Sequence, residues 1–558
     1  MRAVLLSLLI SCGGGDTPTT QTPPNGEVPP AEAKHETRDT LVIAYQGDIG
    51  YLLSPVYETS ADVEILANIN MPIVDIDFDC SLKKKPGIAT DWSWSEDGTI
   101  LSMTLRDDIT FYDGNVVDAH DIAFTWELLG DPKVGSPRIG YLEHMKPDGN
   151  PKVIDDFHLE WHFTHAYDRD TQVAHASAMS IVPKHLLKDA DRATLRGHKL
   201  SKNPVGNGPF RLEKYEPNER IVLVPNENFT GPAEMRPRLK RVIFRILPEY
   251  ATRLLELQSG NVDFVQNLSV ADTDQLKRDY PHIRIVRRGW RFMDYIAWNQ
   301  SLPKFKDKRV RTALTQAIDV DAMIGKILTS ESGERYGRPA TSNITPELCG
   351  VHNDEVKPLP FDLEVSKALM AEAGWTDSNG DGILDKDGEK FEFTLVTNMG
   401  NKRRGDATIL VQSYLEKLGV KVNLEIRESN VFFQSLRERK YEAALAGWSA
   451  ALFVDPSDVW QSDAAGERRE FNFTNYSNPR VDELIETGLK TPDLAQAAPI
   501  WKELQAIIYE DQPYTFLWWM EETVAIDSRF ENTEIDVLSP LKNLHLWEVP
   551  PDKVKYPK

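Results

Sequence analysis

The chain has 558 residues, 41% of them hydrophobic, with 64 Lys+Arg against 86 Asp+Glu and a net charge of −22. That length exceeds one ordinary core, so two or more domains are expected. The acidic field repels phosphate, which argues against a general nucleic-acid or anionic-membrane-surface binder. Three cysteines, Cys12, Cys80 and Cys349, are too few for a disulfide scaffold or a Cys-rich zinc module. No apolar run reaches the roughly 18 residues of a membrane span.

The opening MRAVLLSLLISC places Arg2 before an apolar run that ends Leu9-Ile10-Ser11-Cys12. It resembles the bacterial lipobox, in which a small residue precedes a lipid-modified cysteine. Residues 1–11 are expected to be a lipoprotein signal peptide and Cys12 the lipidation site. Residues 12–39 (GGGDTPTTQTPPNGEVPP and onward) lack hydrophobic periodicity and read as a disordered tether. The expectation is a body lipid-anchored to a bacterial membrane on its periplasmic or extracytoplasmic side.

The body begins with LVIAY, a short apolar strand, followed by the helix SADVEILANIN. TILSMTLRDDITF carries β-patterned runs, and DAHDIAFTWELL is a helix with Asp118 as N-cap. FHLEWHFTH alternates, with Phe157, Leu159, Trp161 and Phe163 on one face. PFRLEKYEPNERIVLVP reads as two strands joined by a turn, RVIFRIL as a strand and ATRLLELQSGNVDFV as helix, stop and strand. KRVRTALTQAIDVDAMIGKIL places Val310, Ala313, Leu314, Ala317, Ile318 and Ile324 on one helical face. FEFTLVTN, VKVNLEI and YEAALAGWS are strands; ATILVQSYLEKLG, RVDELIETGLK and PIWKELQAIIYE are helices. The alternation predicts α/β lobes with mostly parallel sheets.

Five stretches, in order, carry a family resemblance: NPVGNGPFRLEKYEPNERIVLVPNENFTG, LPEYATRLLELQSGNVDF, FKDKRVRTALTQAIDVDAMI, ALMAEAGWTDSNGDGILDKDGEKFEFTLVTN and NYSNPRVDELIE. The chain resembles the bacterial extracellular solute-binding proteins of family 5, the oligopeptide, dipeptide and nickel type that serve ABC importers. The resemblance implies an α/β, two-lobed periplasmic-binding-protein fold of the large, three-subdomain type, with the ligand cleft between lobes. By analogy lobe I covers 40–290 with a subdomain at about 75–195, lobe II covers 291–513, and 514–558 returns to lobe I. The implied role is capture of a peptide-like solute and delivery to permease subunits by a monomer without a cofactor. An oligosaccharide or a metal chelate is the alternative solute.

The stretch ALAGWSAALFVDPSD falls one glycine short of the Gly-x-Ser-x-Gly elbow of serine hydrolases. Such an enzyme needs a helix at the elbow and a downstream acid and histidine, yet the run stays apolar to Asp455 and only His545 follows. The resemblance instead places the Gly-Trp element at the ligand, so Trp448 and Ser449 are expected to line the cleft. In peptide binders of the family an aspartate shortly after Gly-Trp pairs with the peptide amine; here Ala450 and Ala451 stand there, with Asp455 the next acid.

Asn398 ends a strand, where ligands of α/β sheets gather, and is a second candidate. Arg403 and Arg404 could meet a carboxylate, although a solvated basic loop is the simpler reading. Tyr57 and Trp298 are further ligand-binding candidates, weighed against ordinary core roles. Asp377, Asn379, Asp381 and Asp385 match early positions of a calcium loop, but position twelve is Gly388; a Gly-Asp turn is the alternative, and no metal is expected. His158, Glu160 and His162 share a strand face without a third protein ligand. Cys80 and Cys349 fall in different lobes, where a disulfide would restrain the hinge, so separate thiols are expected.

Overall fold

The computed structural model describes residues 39–77, 82–142, 144–147, 151–399, 401–450, 454–463, 471–537 and 539–553. The leader, Cys12, most of the tether and Cys80 lie outside them.

Two long antiparallel strands, Ile283–Trp298 and Tyr514–Asp527, run through the whole molecule. Both are rich in β-branched and aromatic residues, which favour a pleated, packed surface. Tyr514–Asp527 pairs with Phe264–Gln266, and the sheet continues through Thr40–Tyr45, Arg241–Ile246, Arg220–Pro225 and Phe210–Glu216. Ile283–Trp298 pairs on its other side with Ala443–Ser449, followed by Glu392–Asn398 and Lys421–Arg427.

The core divides where these strands pass between lobes. One buried cluster joins Leu41, Phe244 and Phe264 to Val524, Ile526 and Trp547, and belongs to lobe I. In lobe II, one cluster joins Met293 and Tyr295 to Tyr514 and Phe516, and another joins Trp298 to Leu517 and Trp518. Between the two sets the pairing is irregular, at Arg288/Trp290 and again at Trp290/Phe292. Bulges of this kind bend a strand and interrupt its ladder. Gly289 sits there because a Cβ would lie 2.4 Å from Glu347 Oε1, which accepts the Trp290 N–H at 2.7 Å.

The central sheet is mixed rather than mostly parallel. Thr40–Tyr45 and Glu392–Asn398 are parallel to both neighbours, but the long strands and the Phe210–Pro225 hairpin pair antiparallel. The tight turn at Glu216–Glu219 permits only antiparallel return. A separate four-stranded antiparallel sheet of Ala89–Trp94, Ile100–Leu105, His158–His162 and Lys152–Asp155 packs on helix Ala119–Gly130, with Trp126 and Trp161 edge to face at 4.7 Å. Asp118 caps that helix, accepting from the His120 and Asp121 N–H groups.

The 308–328 segment forms two helices, Lys308–Gln316 and Val320–Ile327, rather than one. Asp319 accepts the Ala322 N–H and starts the second, since a side-chain cap competes with continuation of the preceding helix. Cys349 is disulfide-bonded, which corrects the expectation of a free thiol there. Separate thiols follow only if the flanking chain packs with lobe I. Leu82 instead lies in the lobe II cluster that holds Ile344 and Leu348.

Candidate functional site

Strand Ala443–Ser449 enters from the lobe II core, buried through Ala446, and reaches the surface at Ser449. Beside it lies Asp294, fully buried, which accepts from Arg403 Nε at 2.8 Å, Arg404 Nε at 2.9 Å and Trp518 Nε1 at 3.1 Å. Burial alone would raise the Asp294 carboxyl, but the two guanidiniums hold it below the usual carboxylate range. A second hydrogen bond from Arg404, through Nη1, reaches Asn398 Oδ1 at 2.9 Å. The arginines are therefore no solvated loop. They occupy the first turn of helix Lys402–Leu418, capped by Asn401, where a buried acid draws them inward.

The same network explains the glycine of the Gly-Trp pair. A Cβ on Gly447 would lie 2.2 Å from Arg404 Nη2, 2.6 Å from Asp294 Oδ1 and 2.7 Å from the Met293 carbonyl oxygen. The glycine admits an ion pair, not a nucleophile. The next described helix after Ser449 starts at Ser457, eight residues on, with residues 451–453 outside the described set. His545 lies in lobe I, where burial pushes its imidazole down to about 4.

Trp448 is half-buried and stacked nearly parallel between Phe473, centroids 5.5 Å apart, and Tyr295, 5.9 Å; Tyr295 in turn stacks on Tyr514 at 3.9 Å. Ser449 is exposed. A rigid aromatic plane thus ends in an accessible hydroxyl, with a guanidinium pair behind it. Asp294 has one carboxylate for two guanidiniums, and the Arg403 side chain keeps 29% exposure. The Arg291 carbonyl accepts the Ala450 N–H at 2.8 Å, closing the strand onto the hinge.

Tyr57 belongs to lobe I, with the Arg138 guanidinium 4.3 Å above its ring, and burial with the neighbouring Tyr141 raises its phenol. Trp298 is a core residue: it has no exposed surface, donates to Thr515 Oγ1 at 3.0 Å and packs on Phe305 and Phe393. Asp377 accepts the N–H groups of Gly380, Asp381 and Gly382, Asp381 pairs with Lys390, and Asp385 accepts from Ser378. These are the bonds of a Gly-Asp turn. His158 bonds Asp155 across the turn of their hairpin, and His162 bonds Glu160 of its own strand. Among the described residues no group of three His, Cys, Asp or Glu side chains is placed to hold a metal.

Sequence reasoning missed Asp294, whose neighbours Met293 and Tyr295 give no hint of a buried acid. It also missed a histidine cluster: His144, His165 and His175 gather around Tyr167 in lobe I, and His144 approaches Asp455 of lobe II. The crowding of histidines after residue 143 was the available signal.

A profile of the bacterial extracellular solute-binding proteins, family 5 (middle region), matches residues 83–468. The oligopeptide-binding protein AppA of Bacillus subtilis is 28% identical over 557 residues, 98% of this chain and 96% of its own length. The periplasmic oligopeptide-binding protein OppA of Salmonella typhimurium is 27% identical over 446 residues, 76% of this chain and 77% of its own. The AppA structure with a bound nonapeptide superposes with a TM-score of 0.74 at 26% identity, covering 92% of this chain and 99% of that one. NikZ of Campylobacter jejuni, in complex with Ni(L-His), shares the fold at a TM-score of 0.75 and 22% identity, covering 92% and 99%. The two-lobed α/β fold described above is thus a shared architecture, and the chain belongs to the bacterial extracellular solute-binding proteins of family 5.

Proposed function

We propose that this protein captures a peptide outside the cytoplasmic membrane and delivers it to the permease subunits of an ABC importer. The likeness to the oligopeptide-binding protein AppA, 28% identity across 98% of this chain, carries the reading. The site's chemistry agrees with it. Trp448 offers a flat apolar surface, Ser449 and Asn398 offer polar groups, Tyr57 is the candidate contributed by lobe I, and Arg403 meets a solute carboxylate. Lobe I (40–290, including the 75–195 subdomain, with the Val524–Asp527 end of the last long strand and the chain beyond it) and lobe II (291–513 with the Tyr514–Met520 part of that strand) close about the irregular pairing at Arg288–Phe292. Contacts to both lobes exist only when they are shut, so solute shifts the population toward the closed form. No covalent step is needed. Cys12 carries the lipid, the tether keeps the monomeric body near its permease, and Cys12→Ser releases it from membranes into the soluble extracytoplasmic fraction.

Calorimetric titration of the full chain with a graded series of defined peptides tests this function. Saturable binding with the peptide recovered intact is the expected result. A cleaved peptide would make the protein an enzyme. Failure of every peptide, with a chelate or sugar co-purifying in native mass spectrometry, would replace the solute class.

A further inference from the structure

Away from the strands that join them, the lobes meet again where the 75–195 subdomain faces lobe II. His144 Nε2 lies 4.0 Å from Asp455 Oδ2, and the Arg169 N–H donates to the Pro492 carbonyl at 3.0 Å. Neither contact uses a residue of the long strands, so both depend on how far the lobes are shut.

Each partner of the His144–Asp455 pair is fixed within its own lobe. The His144 carbonyl accepts the Thr164 N–H at 2.9 Å, which ties its backbone to the chain leaving strand His158–His162. Its ring stands edge to face with His165 at 5.3 Å and lies 5.0 Å from Tyr167, whose hydroxyl is 3.4 Å from His175 Nδ1. On the other side the Ser457 N–H and hydroxyl hold Asp455, at 3.0 and 2.5 Å.

The groups around the pair differ in how they answer a fall in pH from 7.5 to 5.5. Burial, then the neighbouring His144, holds His165 below the ordinary histidine range, and burial pushes His175 down to about 4. Both stay neutral through this window. Burial raises the Tyr167 phenol, which stays neutral too. Burial opposes ionisation of Asp455, but His144 and Ser457 hold it low, so it remains a carboxylate. Lys490 of lobe II is the cation that faces His165. Asp168, next to Tyr167, is raised to about 7 by burial and by Asp170, so its negative charge is lost in the window. Histidine is the side chain whose charge ordinarily switches there, and His144 is the histidine that faces an acid of the other lobe.

We propose that His144 and Asp455 form a proton-operated latch between the lobes: the protonated imidazole pairs with the Asp455 carboxylate and favours the shut form, and loss of the proton releases it. The ion pair exists only when the lobes are shut, so proton binding and closure favour each other by linkage. Falling pH therefore shuts the protein and rising pH opens it. The inference rests on the hinge closure of the function proposed above, not on the identity of the solute.

Small-angle scattering of the unliganded full chain at pH 7.5, 6.5 and 5.5 tests it, with folding checked by circular dichroism at each pH. The radius of gyration should fall with pH as the shut-to-open ratio rises by up to about fivefold, the ceiling for a partly exposed ion pair. High salt should blunt the change. His144→Gln should abolish it, and Asp455→Asn, which removes the other partner, serves if the first variant does not fold. A parent whose radius does not change with pH would overturn the latch. So would a pH response that survives in the variants, which would assign it to another group such as Asp168. A millimolar pool of short alanine peptides, added to the parent at pH 7.5, separates the two readings. Compaction by peptide without compaction by acid would remove the latch and leave hinge closure standing, whereas compaction by neither would remove both.

Discussion

His144 of lobe I and Asp455 of lobe II approach across the gap between the lobes, Nε2 to Oδ2 at 4.0 Å. Asp455 also accepts the Ser457 N–H at 3.0 Å and the Ser457 hydroxyl at 2.5 Å. Burial would raise this carboxyl, but the bonds from His144 and Ser457 hold it below its ordinary range. The acid that follows the Gly-Trp element is thus already engaged, by His144 across the gap and by Ser457 beside it. The pair is partly exposed, so it is worth less than about 1 kcal/mol. Asp455→Asn should weaken peptide binding by about two- to fivefold, less at high salt, and should raise the unliganded radius of gyration in small-angle scattering. N-terminal acetylation of the peptide should change affinity little. A large loss on acetylation would return Asp455, or another acid, to the amine.

Trp448→Ala removes a half-buried aromatic plane from the site. Loss of such an anchor costs on the order of 2 kcal/mol or more, so peptide affinity should fall at least about tenfold. Ser449→Ala forfeits one hydrogen bond, roughly 1 kcal/mol, and should do less. Calorimetry on both variants, with folding checked by circular dichroism, decides the matter; unchanged affinity in Trp448→Ala would assign the ring to the core alone.

Asp294 is the charge on which two arginines depend. Asp294→Asn leaves Arg403 and Arg404 beside a buried neutral amide, and breaking a buried pair in this way costs about 3–5 kcal/mol. Arg403→Gln should cost less, because Arg404 still neutralises the acid. Urea unfolding of the three proteins should rank them in that order. Equal stabilities would mean that solvent reaches Asp294.

Gly447→Ala tests the close approach directly. The added methyl meets the Met293 carbonyl and the Asp294–Arg404 pair, and neither backbone nor a pinned ion pair yields freely. A loss of about 1–3 kcal/mol is expected, the range for an overpacked site. An alanine tolerated without loss in urea unfolding would show that the pair can shift.

His175 sets a pH limit. Burial, assisted by the positive end of His144, pushes it down from 6.5 to about 4. Between these values the unfolded chain binds the proton that the folded chain refuses, so stability falls as pH drops through that window and is flat above it. The loss from this group is up to roughly 3 kcal/mol. Unfolding at pH 7.5 and 4.5 should show His175→Gln losing less than the parent. A parent equally stable at both values would contradict the assignment, unless buried carboxyls such as Asp168, raised to about 7, compensate. Asp168→Asn in the same experiment separates the two.

Sequence alone determined the class of fold. Strand and helix patterns such as FEFTLVTN and PIWKELQAIIYE are local, and they reappear as Glu392–Asn398 and Leu494–Asp511 because hydrophobic periodicity acts within a single element. The near-elbow pattern drew attention to the Gly-Trp-Ser strand end, and the family resemblance made it a candidate wall of the cleft. Only the tertiary structure decided what that glycine is for. Arg404 and Asp294 are 110 residues apart in the chain, and nothing local to either announces that a buried carboxylate needs a guanidinium. The same holds for Trp298, whose aromatic character fits a pocket or a core equally well until Thr515, Phe305 and Phe393 are seen around it. It holds too for Leu82, which joins the lobe II core. Contacts between distant segments depend on how whole elements pack, and packing is a property of surfaces that no single stretch of chain contains.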